Sequence, residues 1–439
     1  MKTITQRKPI PKRFQVARPT LVLDRFMFHF IKLGGLGIIL AVFGIFVFIL
    51  FQIWPLFGGA RVEERETLPL GEEREFVAMG TDEWSELPFF VEANGALSFL
   101  DTVDVGGEDN RGFFPSPTPL PELDNGSTYS FLRYNERGGD LLAGTSDGQF
   151  SIVDIAYQAT FPPGQPRIVI PTVTPTPLLP IGPDGVAVER LAYGDSGPRK
   201  IAAAIQSVDG QRTLHAVTLV QPRTLFGVGE VTVDKAFDLT YLLATEPADL
   251  LVSWEADSLL VAGADGTLSY LYVERDGFSL RQVFRPFDDL EDPRIASMDF
   301  LLGDVSVVFT SPTGENRTFS LYRDAEHGDR IWGETKTFPA LPQGAEFFSS
   351  GLRNKAFLLG SEGFASLRYS TTENIRWEEE LPFSIAHAAI APRYNRLLFV
   401  DTDNNLRFYD LDDPHPSAGW RTYFGKIQYE GQAEATYTS

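Results

Sequence analysis

The chain has 439 residues, 43% of them hydrophobic and 22% charged, with 38 basic side chains against 59 acidic ones and no cysteine. That apolar content, with 13% aromatics, is too high for a disordered chain, while the missing thiols exclude disulfides, thiolate metal sites, cysteine nucleophiles and lipidated-cysteine anchors. A net charge of -21 argues against nucleic acid as a partner, and 39 Gly and 30 Pro without a collagen period read as turn punctuation.

In chain order, the first feature is a charge divide. Residues 1–52 carry eight basic groups and one acid, Asp24, which leaves 30 basic against 58 acidic groups beyond, a net of -28. At the divide lies an uncharged apolar run, Leu33 to Phe51. Nineteen residues of helix rise about 28 Å, the thickness of a bilayer's hydrocarbon layer. Trp54 stands at its outer boundary and Pro55 ends it. We therefore expect a basic cytoplasmic segment over 1–30 and one transmembrane helix over 31–55. The basic flank on the N-terminal side alone places the N-terminus in the cytoplasm and the acidic bulk outside. A cleaved signal peptide would need a shorter apolar core and a better cleavage site than Gly58-Gly59-Ala60. Gly37, Ala41 and Gly44 share one side of the helix and form a candidate packing face for another membrane helix; isolated anchors carry such faces too.

Beyond the helix one pattern recurs: an apolar run, a turn signal, then alternating apolar and polar residues. It is clearest at 141–153 (LLAGTSDGQFSIV), 259–273 (LLVAGADGTLSYLYV) and 397–410 (LLFVDTDNNLRFYD), with weaker copies at 89–100, 201–219, 305–322 and 356–369. Asp-Gly and Asn-Gly between such runs favour positive-φ turns, so each unit reads as a β-hairpin. The second turn residues, Gly95, Gly148, Gly210, Gly266, Gly314, Gly363 and Asn405, recur at a mean spacing of about 52. This period predicts an all-β fold, a β-propeller of about seven blades over 56–431, with six or eight blades also compatible. Two Pro-rich stretches, 103–127 and 162–186, are barred from central strands by the missing ladder donor and read as long extended loops, with spacers the preferred reading and recognition segments the alternative.

The scan for chemistry predicts no catalytic residue, no cofactor and no metal site. Gly144-Thr145-Ser146-Asp147-Gly148 matches G-x-S-x-G, but a nucleophile elbow needs strand, turn and helix, and this string predicts strand, turn and strand. Asp401-Thr402-Asp403-Asn404-Asn405 resembles half a calcium loop with Asp412 at its twelfth position, yet Leu406 stands where the sharp turn needs glycine. It reads as a solvated hairpin tip. The acidic runs at 288–292 and 378–380 read as exposed faces, and phosphate capture would need an arginine cluster that the sequence does not display.

Residues 24–60 (DRFMFHFIKLGGLGIILAVFGIFVFILFQIWPLFGGA) resemble the opening of the long Pst-type phosphate ABC-transporter permeases, with Asp-Arg, a Gly-Gly-containing first helix and a terminal Pro-Leu-Phe. Phe424 to Gly431 resembles the segment by which that family's large periplasmic insertion returns to the remaining membrane helices, so 432–439 would lead toward a permease domain. The resemblance implies a bacterial inner-membrane protein whose propeller is a non-catalytic docking or regulatory platform of a phosphate importer. Its implied partners are the membrane, other permease subunits or the permease core, and a periplasmic phosphate-binding protein. The family's translocation helices would follow this point, so the resemblance implies a portion of a permease or a stand-alone relative, and no transport residue carries over. The alternatives are an independent tethered scaffold for envelope proteins and a propeller hydrolase, which would need acidic or histidine side chains converging on the central channel.

Overall fold

The computed structural model describes residues 18–54, 61–71, 74–102, 112–124, 126–163, 167–224, 227–301, 303–323, 328, 330–342, 347–350, 356–361, 363–369, 375–391 and 396–412. The chain divides into two units, Met1–Gly58 and Gly59–Ser439.

In the first unit a single α-helix runs over Arg18–Ile53, 36 residues. Pro19 sits in its first turn, where a missing N–H costs nothing. The stretch Pro19–Phe51 is long and apolar enough to cross a membrane. At 1.5 Å per residue the helix is about 54 Å long, so it exceeds a hydrocarbon layer of about 30 Å.

The second unit is a seven-bladed β-propeller. Blade 1 comprises Phe76–Gly80, Phe89–Glu92, Leu97–Asp101 and Gly112–Pro115. Blade 2 comprises Tyr129–Asn135, Asp140–Thr145, Gln149–Thr160 and Ile168–Pro175, with a short fifth strand, Leu179–Pro180. Blade 3 holds Val188–Asp195, Lys200–Val208, Gln211–Val220 and Thr232–Asp238, and blade 4 holds Pro247–Val252, Ser258–Gly263, Leu268–Val273 and Phe278–Phe284. Blade 5 holds Ser297–Leu301, Ser306–Thr310, Asn316–Arg323 and Arg330–Phe338. Blade 6 holds Phe347–Ser350, Ala356–Ser361, Phe364–Tyr369 and Ile375–Glu380. Blade 7 is composite: Ile385–Ile390, Arg396–Asp401 and Asn405–Asp412 are completed by Arg61–Pro69 from the start of the unit. That first strand pairs antiparallel with the last, from Arg61 opposite Asp412 to Pro69 opposite Asn405. The innermost strands touch their neighbours in an unbroken circle, so the ring has no open side.

Burial explains the local sequence. Strands enclosed by the neighbouring blades, Asp140–Thr145, Ser258–Gly263 and Ser306–Thr310, are buried at every position and read as near-continuous runs of Leu, Val, Ala and Phe. Outer strands such as Thr232–Asp238 are mostly exposed and carry charges. Among the described residues, seven separate hydrophobic clusters fill the seams between adjacent blades.

All seven turn signals lie between the second and third strands of a blade. Six glycines there have positive φ, from 70° at Gly363 to 95° at Gly314. In the seventh the left-handed residue is Asn404 (φ 58°), not Asn405, which opens the following strand. The Pro-rich stretch 162–186 is more ordered than a loop, because Ile168–Pro175 forms an outer strand of blade 2. Thr176 donates its N–H inward to Ile152 at 2.9 Å. By the two-residue period, Pro171 and Pro175 then stand at positions whose backbone nitrogen faces outward, where no ladder bond is lost. The constraint against a central strand holds, and the edge position satisfies it. In the other stretch, residues 112–115 form the outer strand of blade 1 and 103–111 lie outside the described residues.

Candidate functional site: the channel mouth

The innermost strands of the propeller surround a channel cavity of about 220 Å³. Its wall is apolar where Ala78, Leu132, Leu191, Leu251 and Phe300 face inward from blades 1 to 5. Blade 7 adds His387, whose Nε2 lies 2.6 Å from the Phe76 carbonyl oxygen. A carbonyl only accepts, so Nε2 carries the proton. Burial holds the imidazole pKa below its ordinary value, opposed by that hydrogen bond, and the ring is a neutral linker between blades 7 and 1.

Charge gathers where innermost strands turn into second strands. The turn of blade 2 (136–139) supplies Arg137, that of blade 4 (253–257) supplies Trp254, and that of blade 5 (303–305) supplies Asp304. Asp304 has φ 64°, a left-handed conformation that aspartate tolerates. This turn aims its carboxylate inward, where it accepts the Trp254 backbone N–H and pairs with the Arg137 guanidinium. The Asp304 side chain is 3% exposed and that of Arg137 is 20% exposed. Burial lowers the Arg137 pKa, and Asp299 and Glu255 oppose that fall. A buried pair of this kind is costly to dismantle from one side, because the remaining charge stays desolvated. The pair ties blade 2 to blade 5, with the half-exposed indole of Trp254 beside it.

Behind Arg137, Asp140 opens the second strand of blade 2. It is 8% exposed and directly opposite Asp154 on the third strand. Burial, followed by the fields of Asp154 and Asp195 and opposed by Lys200, pushes its carboxyl up to about 7. Lys200 itself pairs with Asp195, which also accepts the Tyr193 hydroxyl at 3.1 Å. Gly138 leaves room here for the Asp140 carboxylate, which a Cβ at 2.1 Å from Oδ2 would displace.

Gly37, Ala41 and Gly44 lie along one side of the helix, all exposed, and a Cβ on either glycine would meet nothing within 4 Å. The G-x-S-x-G string runs from strand through turn to strand: Thr145 Oγ1 caps the Gln149 N–H at 2.9 Å, and Ser146 accepts the Thr128 N–H. The half-loop at 401–405 is likewise a hairpin tip. Asp401 is 1% exposed, and its carboxylate accepts the N–H groups of Asp403 and Asn405 and pairs with Arg407. Among the described residues no three His, Asp or Glu side chains are placed to share a metal ion. Phe424–Gly431 and 432–439 lie outside the described residues. Sequence reasoning missed Arg137, Trp254 and Asp304, which sit in unmarked turns of three different blades, and Asp140, which opens the strand after Arg137.

No protein-family model and no curated protein matches the sequence. Among solved structures the chain is similar to the WD40 β-propeller domain of Doa1, at 13% identity and a TM-score of 0.48, over 80% of this chain and 97% of that one.

Proposed function

We propose that this chain is a membrane-anchored, non-catalytic platform on which other proteins dock, and that it serves as the periplasmic portion of a phosphate-importing ABC permease of the bacterial inner membrane. The observation that carries this reading is the composite blade. Arg61 and Asp412 are paired neighbours, so the chain enters and leaves the propeller at one blade edge, as an insertion between membrane helices must. The helix Arg18–Ile53 supplies the anchor, and the basic groups of residues 1–52 favour a cytoplasmic N-terminus. The channel mouth fits docking better than catalysis: Arg137 and Asp304 neutralise one another in a fixed pair, and its histidine is committed to a backbone carbonyl.

The test is removal of 60–430 from the complete transport system. Uptake of phosphate or its regulation should change, and a solute-binding protein or permease subunit retained by the intact chain should be lost from pull-downs. Unchanged transport together with unchanged capture would defeat the proposal. Changed capture with unchanged transport would instead favour the independent envelope scaffold. Protease protection of the propeller in spheroplasts would remove its periplasmic placement.

A further inference from the structure

A second cavity lies away from the channel, in the outer part of the seam between blades 3 and 4, a groove of about 590 Å³. One wall is the outer strand Thr232–Asp238, and the other is the hairpin 273–278 of blade 4. Its floor is aromatic: Phe237 and Phe278 meet edge to face at 5.3 Å beside Tyr272. Its rim is basic. Although the chain as a whole is strongly acidic, Arg199, Lys200, Lys235, Arg275 and Arg281 all line this one groove, against Asp234 and Glu274. The fold thus assembles, from blades 3 and 4, the cationic cluster that the sequence does not display.

Three of these cations have fixed partners. Lys200 pairs with Asp195, Lys235 with Asp276 at 3.0 Å, and Arg281 with Glu274 at 3.0 Å. The Arg281 guanidinium also lies 5.4 Å from the Tyr272 ring. Arg199 reaches only the Ala256 carbonyl, at 3.4 Å, and neither Arg199 nor Arg275 pairs with a carboxylate among the described residues. These two guanidinium groups belong to opposite blades. The strand forming one wall also differs from the outer strand of blade 2. Thr232–Asp238 has no proline, and it pairs on one side alone, with Gln211–Val220. Its other edge therefore keeps its backbone donors and acceptors available.

We propose that this groove receives an extended acidic peptide segment of a partner protein. Its carboxylates would meet Arg199 and Arg275, and an apolar side chain would pack on the Phe237–Phe278 floor. A small hydrated anion makes no use of that floor, and a polyanionic nucleic acid is repelled by the rest of the molecule. The inference rests on the platform reading only in taking the partner to be a protein, and it names a surface and a chemistry which that reading leaves open.

The test uses the full chain in detergent and a fluorescein-labelled decapeptide of alternating Ser and Glu with one central Leu, read by anisotropy. Saturable binding is expected, and it should weaken markedly between ~50 and ~500 mM NaCl. The double reversal Arg199→Glu/Arg275→Glu should weaken it at least about tenfold, while Arg199→Lys/Arg275→Lys keeps most of it. Replacing the peptide's Leu by Ser should weaken it several-fold. Absence of binding, equal binding by the charge-reversed variant, or equal binding of a Lys-for-Glu peptide would overturn the proposal. So would displacement by inorganic phosphate as effective, mole for mole, as displacement by unlabelled peptide. Because the pull-downs on 60–430 do not use this peptide, failure here is distinguishable from failure of the platform reading.

Discussion

Replacing Asp140 by Asn should stabilise the propeller, and the gain should grow with pH. In the folded chain Asp140 is nearly enclosed, faces Asp154 across the strand pair, and has no side-chain hydrogen bond among the described residues. Its carboxyl rises from 3.8 to about 7, with burial the largest cause. Below the unfolded pKa the group is protonated in both states and costs nothing. Between there and about 7 the unfolded chain releases the proton while the folded chain retains it, so stability falls as pH rises; above 7 the loss is complete. The difference corresponds to at most about 4 kcal/mol, or about 5–10 °C in Tm for a domain of this size. Asn keeps the shape without the charge. Thermal unfolding of both proteins in detergent, followed by tryptophan fluorescence at several pH values, should show a small difference near pH 4.5 and the full one near pH 8. His215 and His387, both lowered by burial, act with the opposite sign: they cost stability below the unfolded histidine pKa, and this cost is relieved as pH rises. They are common to both proteins and cancel in the comparison. A gap that does not change with pH, or an Asn variant less stable at pH 8, would refute the reasoning.

Other predictions concern seams and edges. Arg368 is fully buried between blades 5 and 6, donating to Asn316 Oδ1 at 2.9 Å, to Ser366 at 3.0 Å and to the Pro339 carbonyl, and burial lowers its pKa to about 10. Arg368→Ala should cost about 3–5 kcal/mol in denaturant melts, because it leaves a cavity and orphaned acceptors; a cost below about 1 kcal/mol would contradict that account. Arg137→Ala leaves Asp304 buried beside Trp254 without its cation, so a comparable loss of stability and a shifted indole emission should appear together. Pro171→Thr/Pro175→Thr restores two outward N–H groups on the edge of blade 2, and light scattering should detect more self-association than for the parent chain. In Gly194→Ala the new Cβ would sit 2.1 Å from the Ser253 carbonyl oxygen of the next blade, a clash expected to cost about 1–3 kcal/mol in Tm-derived stability.

The parts of the fold most legible in sequence were those with a strict local requirement. A hairpin whose turn needs positive φ must carry Gly or Asn, so Gly95, Gly148 and Gly266 announced their blades, and their recurrence gave the ring. Innermost and outermost strands were harder to see. Val188–Asp195 and Thr232–Asp238 lack such punctuation, and their sidedness depends on which blade lies against them. The Pro-rich strand was missed for a related reason. Proline excludes an interior position, but whether it permits an edge depends on which way each nitrogen faces, and register fixes that. Arg137, Trp254 and Asp304 had no signature at all, because the spacing that unites them exists only once three blades surround one axis. The groove cations were hidden in the same way. Arg199 and Arg275 look like isolated surface charges until blades 3 and 4 stand side by side.

The pairing of Arg61–Pro69 with Asn405–Asp412 has a consequence in time. The first strand of the propeller to be synthesised is the last to find its partner, because the matching strand emerges more than three hundred residues later. At about 5–20 residues per second, that interval is on the order of 20–70 s. Throughout it a nascent chain holds six and a half wedges with an unmet lateral edge at each end, a state in which strands of neighbouring chains can substitute for the rightful one. The charged run Glu63-Glu64-Arg65-Glu66 along the waiting strand is well suited to keep it hydrated and solitary until the circle shuts.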